Sequence, residues 1–157
     1  MEAKKRNLTI DYQGLEGYPL ETELIFELNH LEQLKAEHES IVYQSLQTSD
    51  WNVRVKMHPQ FDLTKREIMF EDYQGKEVVD LIYFDAFGAR VQPELWTETI
   101  FKKMYEALKI EGIIVTYAAK GSVRRAMQAV GFNVERLPGP PGKREMLRGI
   151  KSLTTAL

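Results

Sequence analysis

Residues 78–96 read VVDLIYFDAFGARVQPELW, and this stretch narrows the folds open to the chain more than any other. The apolar run 78–84 stops abruptly at an acid, Asp85. A bent loop with Gly88 and Pro93 follows. An amphipathic helix is then expected over 94–108, with Leu95, Ile100, Phe101, Met104, Tyr105 and Leu108 as its apolar positions. A short run that is apolar but for Asp80 suits a buried strand. Open α/β sheets bind ligands and place catalytic groups just beyond the C-terminal ends of such strands. Asp85 stands at that place.

The elements around it follow the same logic. Residues 8–13 (LTIDYQ) are rich in β-formers and lead into GLEG at 14–17, read as a strand and then a turn. Leu20, Leu24, Ile25, Leu28, Leu31 and Leu34 recur at helical spacing, predicting a helix over about 19–35. A second helical stretch is expected over 39–46. Residues 52–57 and 61–65 flank His58-Pro59-Gln60 as a hairpin, and 67–73 suits a short helix. Gly112 opens a strand over 113–118. A helix over 122–130 should stop at Gly131, a residue suited to the left-handed position past a helix end. Two last strands, 132–137 and 145–150, enclose PGPPGKR, which cannot be helical. Alternating strands and helices closed by a strand pair predict an α/β fold, its sheet mostly parallel with one antiparallel strand.

Composition sets outer limits. A chain of 157 residues with 43% hydrophobic and 28% charged residues is expected to form one globular domain, 1–157. It has no cysteine, which fits a reducing cytosol and a cytoplasmic location, and no apolar run long enough to span a membrane. The net charge of −2 conceals a polarity. Residues 1–118 carry 13 Lys and Arg against 21 Asp and Glu, giving −8, whereas residues 119–157 carry 8 against 2, giving +6. Such a basic end suits a polyanionic partner, although on charge alone a solvated surface balanced elsewhere in the fold is the simpler reading.

Asp85 could act as a general base or hold a ligand's donor groups, and a capping or salt-bridged structural acid is an equal reading. Glu16, just after the first strand, stands where nucleotide-binding α/β folds place an acid on ribose hydroxyls, or it is an ordinary turn acid. Glu67 is a third acid near a strand end. Phe84, Phe87 and Trp96 flank Asp85 as stacking surfaces or as core, with Phe84 read as core. Lys143 and Arg144, ending the stiff PGPPG loop, suit phosphate recognition, with Arg124, Arg125 and Lys120 extending the patch. His30, His38 and His58 show no metal-ligand spacing, the glycines form neither GxGxxG nor a P-loop, and no Ser-His-Asp arrangement can be argued.

Four stretches taken together resemble a known family: LEGYPLE at 15–21, DLIYFDAF at 80–87, PELWTETIFKKM at 93–104, and GSVRRAMQAVGF followed by GKREMLRG between 121 and 149. The chain resembles the S-adenosylmethionine-dependent methyltransferase part of the MnmC/MnmD-like enzymes, which complete the methylaminomethyl group on a thiouridine at the tRNA wobble position. The resemblance implies a Rossmann-like methyltransferase fold, S-adenosylmethionine as cofactor and tRNA as partner. It implies cofactor contacts from Glu16 at the ribose, Glu67 near adenine, and Asp85, Ala86 and Phe87 at the strand end. It places Asp85 against the methyl-acceptor amine. It gives Lys143, Arg144, Arg124, Arg125 and Trp96 to the RNA substrate.

The family's glycine-rich cofactor turn should precede Leu8, where only Met1 to Asn7 stand. The chain is therefore expected to lack the first strand and helix of the fold and to be an incomplete version of a longer protein. The loss of a central strand would leave two neighbours unpaired, and a homodimer that exchanges strands would cover them. The flavin-dependent oxidase half of bifunctional members is absent from this sequence. Two other functions remain open at this point. One is a catalytically silent RNA-binding or interaction module, and the other a transferase acting on a small amine.

Overall fold

The computed structural model describes residues 5–153, which fall into two compact units, Met1–Met69 and Phe70–Leu157. Residues 1–4 and 154–157 lie outside the described residues.

The first unit is built on a three-stranded sheet. Strand β1 (Ile10–Glu16) pairs in parallel with β3 (Phe61–Glu67), and β2 (Arg54–His58) pairs antiparallel to β3. The hairpin at His58-Pro59-Gln60 is present as expected. The turn expected at 14–17 is not: Gly14 pairs with Lys65 and Leu15 with Arg66, so the parallel partner keeps the chain extended as far as Glu16. The crossover from β1 to β3 is helical, but the single helix expected over 19–35 is broken into α1 (Thr22–Glu27) and α2 (His30–Gln33). Leu28 adopts extended angles, and the side chain of Asn29 accepts from Gln33 Nε2 at 2.7 Å, so the polar residue starts a new turn. A 3-10 turn (Glu37–Glu39) leads into α3 (Ser40–Thr48). Asp62 is buried within β3, where Arg54 meets it at 2.6 Å and Lys56 at 3.5 Å. In place of the short helix expected over 67–73 there are the end of β3 and a 3-10 turn, Phe70–Asp72.

The second unit carries the main core. Its sheet has the order β4-β5-β7-β6, from β4 (Val79–Tyr83), β5 (Leu108–Thr116), β6 (Asn133–Pro138) and β7 (Glu145–Ile150). β5 runs parallel to β4, and β7 runs antiparallel to both β5 and β6. Three strands therefore point one way and β7 alone the other. Two helices, α4 (Glu98–Ala107) and α5 (Gly121–Ala129), bury Phe101, Met104, Val123 and Met127 against Ile114 and Leu147 of the sheet. Gly149 lets this layer close: a Cβ there would lie 2.9 Å from Met127 Cε and 3.0 Å from Ile114 Cγ2.

The helix expected over 94–108 begins instead as a 3-10 turn, Pro93–Trp96, and becomes α-helical from Glu98. Strand β5 starts at Leu108, before the expected 113, because a bulge absorbs residues 109–112 with Glu111 at φ 63. Lys151 holds this bulge. It is buried, and its ammonium donates to Leu108 O at 2.7 Å and lies 3.3 Å from Glu77. Helix α5 ends as expected: Gly131 (φ 109) donates to Gln128 O and Phe132 to Met127 O, closing the helix with a Schellman motif. Strands β1 and β4 each stand at an edge of their sheet. Among the described residues, no helix is long and apolar enough to cross a membrane.

Candidate active site

Because β6 runs parallel to β5 and β4, the loop joining β6 to β7 lies at the same end of the sheet as Asp85. That loop is held in one shape. Gly139 donates to Arg144 O and Lys143 to Pro140 O, and a Cβ on Gly139 would lie 2.4 Å from Lys143 O. Gly142 takes φ 86, where other residues are strained. The stiffness read from PGPPG is thus a pinned turn that presents Lys143.

Asp85 is exposed, two residues past β4. The chain around it is fixed from below. Phe84 is buried and donates its backbone N–H to Val115 O at 2.9 Å. Its ring meets Trp96 edge-on at 5.2 Å and Phe101 at 5.4 Å. Trp96 is also buried, and its indole N–H donates to Phe87 O at 2.8 Å. Trp96 therefore anchors the loop that carries Asp85, Ala86 and Phe87. Phe87 itself is 72% exposed.

Two depressions open at this end of the sheet. One, of about 450 Å³, is lined by Asp85, Ala86, Phe87, Trp96 and Lys143, so five of the expected residues meet there. The other, of about 320 Å³, is mainly apolar and lies between Tyr83, Val115 and the Pro138, Pro140 and Met146 side of the last loop. Asp85, Thr116 and Tyr117 line both. The Thr116 hydroxyl is occupied in turning the chain, since it accepts from Ala118 N at 3.2 Å. Lys143 Nζ lies 5.1 Å from the Tyr117 ring centroid. Sequence reasoning passed over Tyr83 and Tyr117. Each closes a β-forming run, where a tyrosine reads as core until the cleft beside it is seen.

The basic residues divide sharply. Arg136 pairs with Glu145, Arg148 with Glu135 and Lys151 with Glu77. Hydrogen bonding to Glu135 raises the Arg148 pKa. Lys120, Arg124, Arg125, Lys143 and Arg144 make no ion pair among the described residues. They stand after β5, at the start of α5, and in the β6–β7 loop, all at the strand ends that carry Asp85. Arg124, Arg125 and Arg144 lie outside the lining of both depressions.

In the first unit, Glu16 and Glu67 are register partners at the C-terminal ends of β1 and β3. Both are exposed. Glu16 Oε1 accepts from Tyr18 N at 2.9 Å, which orients the carboxylate. Gly17 beside it packs on Met69, whose sulfur would be 2.3 Å from a Cβ.

Comparison with known proteins gives this arrangement a context. A sequence profile of S-adenosyl-L-methionine-dependent methyltransferases matches residues 31–152. Over 73 residues the chain is 40% identical to the tRNA 5-methylaminomethyl-2-thiouridine biosynthesis bifunctional protein MnmC of Actinobacillus pleuropneumoniae serotype 5b, covering 46% of this chain and 11% of that protein. The protein of the same name from Cupriavidus metallidurans is 37% identical over 67 residues, 43% of this chain and 10% of its own length. The chain thus spans about a tenth of the length of these curated relatives. The crystal structure of MnmC2 from Aquifex aeolicus superposes with a TM-score of 0.69 at 19% identity, covering 97% of this chain and 46% of that one. The S-adenosylmethionine-dependent methyltransferase SibL gives 0.51 at 10% identity, with 96% and 46% covered. At such identities the structural matches speak for the fold, which is the Rossmann-like α/β fold expected. The sequence profile covers most of the chain, and the chain belongs to the S-adenosyl-L-methionine-dependent methyltransferase family, with S-adenosylmethionine as its cofactor.

Proposed function

We propose that this protein methylates the aminomethyl group of a modified wobble uridine in tRNA. The observation that carries the proposal is an exposed carboxylate just past β4, Asp85, with cations at the same strand ends that pair with no acid among the described residues. A lone acid suits an amine acceptor, and unpaired cations suit a phosphate backbone. The similarity to proteins named for tRNA 5-methylaminomethyl-2-thiouridine biosynthesis supports the same reading.

The residues present fit the cofactor. Within the first unit, Glu16 and Glu67 offer exposed carboxylate oxygens at adjacent strand ends, acceptors of the kind that hydroxyl and amino groups require. Asp85, Ala86 and Phe87 would meet its methionine end. Bound there, S-adenosylmethionine supplies a methyl group on a sulfonium, which departs as a neutral thioether. The protein's own task is to present a neutral amine in line. Asp85 accepts a hydrogen bond from the amine, orients its lone pair and takes up the proton released as nitrogen is alkylated. Trp96 keeps the Asp85 loop from drifting, and Lys143 and Arg144 hold the RNA backbone.

The test is methyl transfer by the native protein from labelled S-adenosylmethionine to tRNA from cells lacking the terminal modification. Label is expected in the wobble nucleoside. Transfer to small amines but not to tRNA would overturn the RNA substrate. Binding of tRNA with no transfer to any acceptor would return the protein to the class of RNA-binding modules.

A further inference from the structure

We propose that the acceptor base enters the apolar cleft of about 320 Å³ and stacks on Tyr117, so that this tyrosine sets acceptor specificity. The inference rests on the reading of Asp85 as the partner of the acceptor amine, and it adds where the rest of the base goes.

Two depressions open beside Asp85, and Asp85, Thr116 and Tyr117 line both. Tyr117 is the aromatic residue of the three. Lys143, which lines the larger depression, has its ammonium 5.1 Å from the Tyr117 ring centroid. This cation–π contact holds a ring that also lines the apolar cleft. Tyr117 is 45% exposed and Tyr83, on the neighbouring strand, 69% exposed. Exposed aromatic rings above an otherwise aliphatic wall are a stacking surface without a ligand on it. The remaining walls, Val115, Pro138, Pro140 and Met146, carry no charge. Such a slot rejects phosphate and free ammonium groups but accepts a flat neutral ring. The acid at its edge, Asp85, then meets one basic substituent on that ring. The volume is at the small end for ligand sites, suited to a single base rather than an extended molecule.

The cations supply the rest of the recognition. Lys143 and Arg144 follow directly on the proline wall, so a base seated in the cleft has its own phosphates beside them. Single-stranded RNA loops are recognised in this manner, with a splayed base stacked on an aromatic side chain and its backbone on basic residues. On the proposed reaction, the flat ring that this cleft takes is the modified wobble uracil, turned out of its loop.

The experiment uses an anticodon stem-loop carrying 5-iodouracil at the wobble position, irradiated with the native protein and mapped by mass spectrometry. A crosslink on Tyr117 is expected, lost in Tyr117→Leu and retained in Tyr117→Phe. In steady-state assays Tyr117→Leu should raise KM for tRNA about tenfold, the scale of one base–aromatic stack, with KM for S-adenosylmethionine unchanged. Tyr117→Phe should restore it. A crosslink on Phe87 or Trp96 instead, or none at all, overturns the stacking site even where wild-type protein methylates tRNA. A Tyr117 crosslink in a protein that transfers no methyl group keeps the stacking site and sinks the proposed reaction, so the two failures are distinguishable.

Discussion

Asp85 and Trp96 illustrate two ways in which a residue can matter at one site. Asp85 is exposed and forms no ion pair among the described residues, so Asp85→Asn should leave the thermal midpoint nearly unchanged. Loss of a positioned proton acceptor should lower kcat by about 10²-fold or more, measured by methyl transfer at saturating tRNA. An equal loss of folding and activity would make Asp85 a structural acid. Trp96 is buried and acts through the loop, with its N–H on Phe87 O. Trp96→Phe keeps most of the ring packing but leaves that carbonyl without its donor, a cost of about 1 kcal/mol. The loss should appear as a lower midpoint together with reduced turnover. What was legible at this scale follows from chemistry that shows in a sequence. An acid ending an apolar run is conspicuous, and so are two cations after a proline-rich loop. Tyr117 was not legible, because a tyrosine at a strand end looks like core until the cleft beside it is visible. Gly139 was legible only as part of a stiff loop. That its hydrogen stands against Lys143 O is a fact of the folded turn.

Elements were readable where local signals agreed with tertiary contacts. Helix α5 has the right spacing and the right terminal glycine, and its Schellman closure brings Phe132 onto Met127 in the core. The helix expected over 19–35 failed because its contact with α3, through Phe26 and Tyr43, buries too little to hold one long helix. Neither α1 nor α2 buries a residue, and the local preference of Asn29 for a turn decides the outcome. Strand β1 ran through Gly14 for the opposite reason, since pairing with β3 outweighs the glycine's turn preference. Helix α5 also supports a prediction with two signs. Its first turn holds no acid, and Arg124 and Arg125 follow directly, against the helix dipole. Arg125→Glu should therefore raise the thermal midpoint slightly or leave it unchanged while weakening tRNA binding. A fall in stability with tRNA affinity intact would show that Arg125 serves the helix rather than the RNA. Lys151 gives the contrasting case. Lys151→Met removes the donor from the buried Leu108 O and from the bulge, so a loss of about 1–3 kcal/mol in denaturant unfolding is expected. tRNA affinity should not change in the protein that remains folded.

Across the whole molecule the charge pattern becomes an argument about binding. The +6 of residues 119–157 could be a solvated surface or a polyanion site, and charge alone put the solvated surface ahead. The fold separates them by distributing the eight cations unevenly. Arg136, Arg148 and Lys151 are neutralised by acids within the second unit, while Lys120, Arg124, Arg125, Lys143 and Arg144 are not. Those five stand at the strand ends that carry Asp85, a placement fixed by the direction of β6, which no composition could reveal. If each meets one phosphate, the logarithm of tRNA affinity should fall with the logarithm of salt concentration with a slope of about −3.5 to −4.5. Replacing Lys143 and Arg144 together by alanine should flatten the slope by about 1.5 and weaken binding to tRNAs of any sequence alike. Arg136→Ala is the internal control, because its charge is already met by Glu145 at 3.7 Å and its loss should leave the slope where it was. Equal flattening by Arg136→Ala and by the loop pair would mean that the response is to net charge alone. The basic strand ends would then be ordinary surface, and the RNA would have to be held elsewhere.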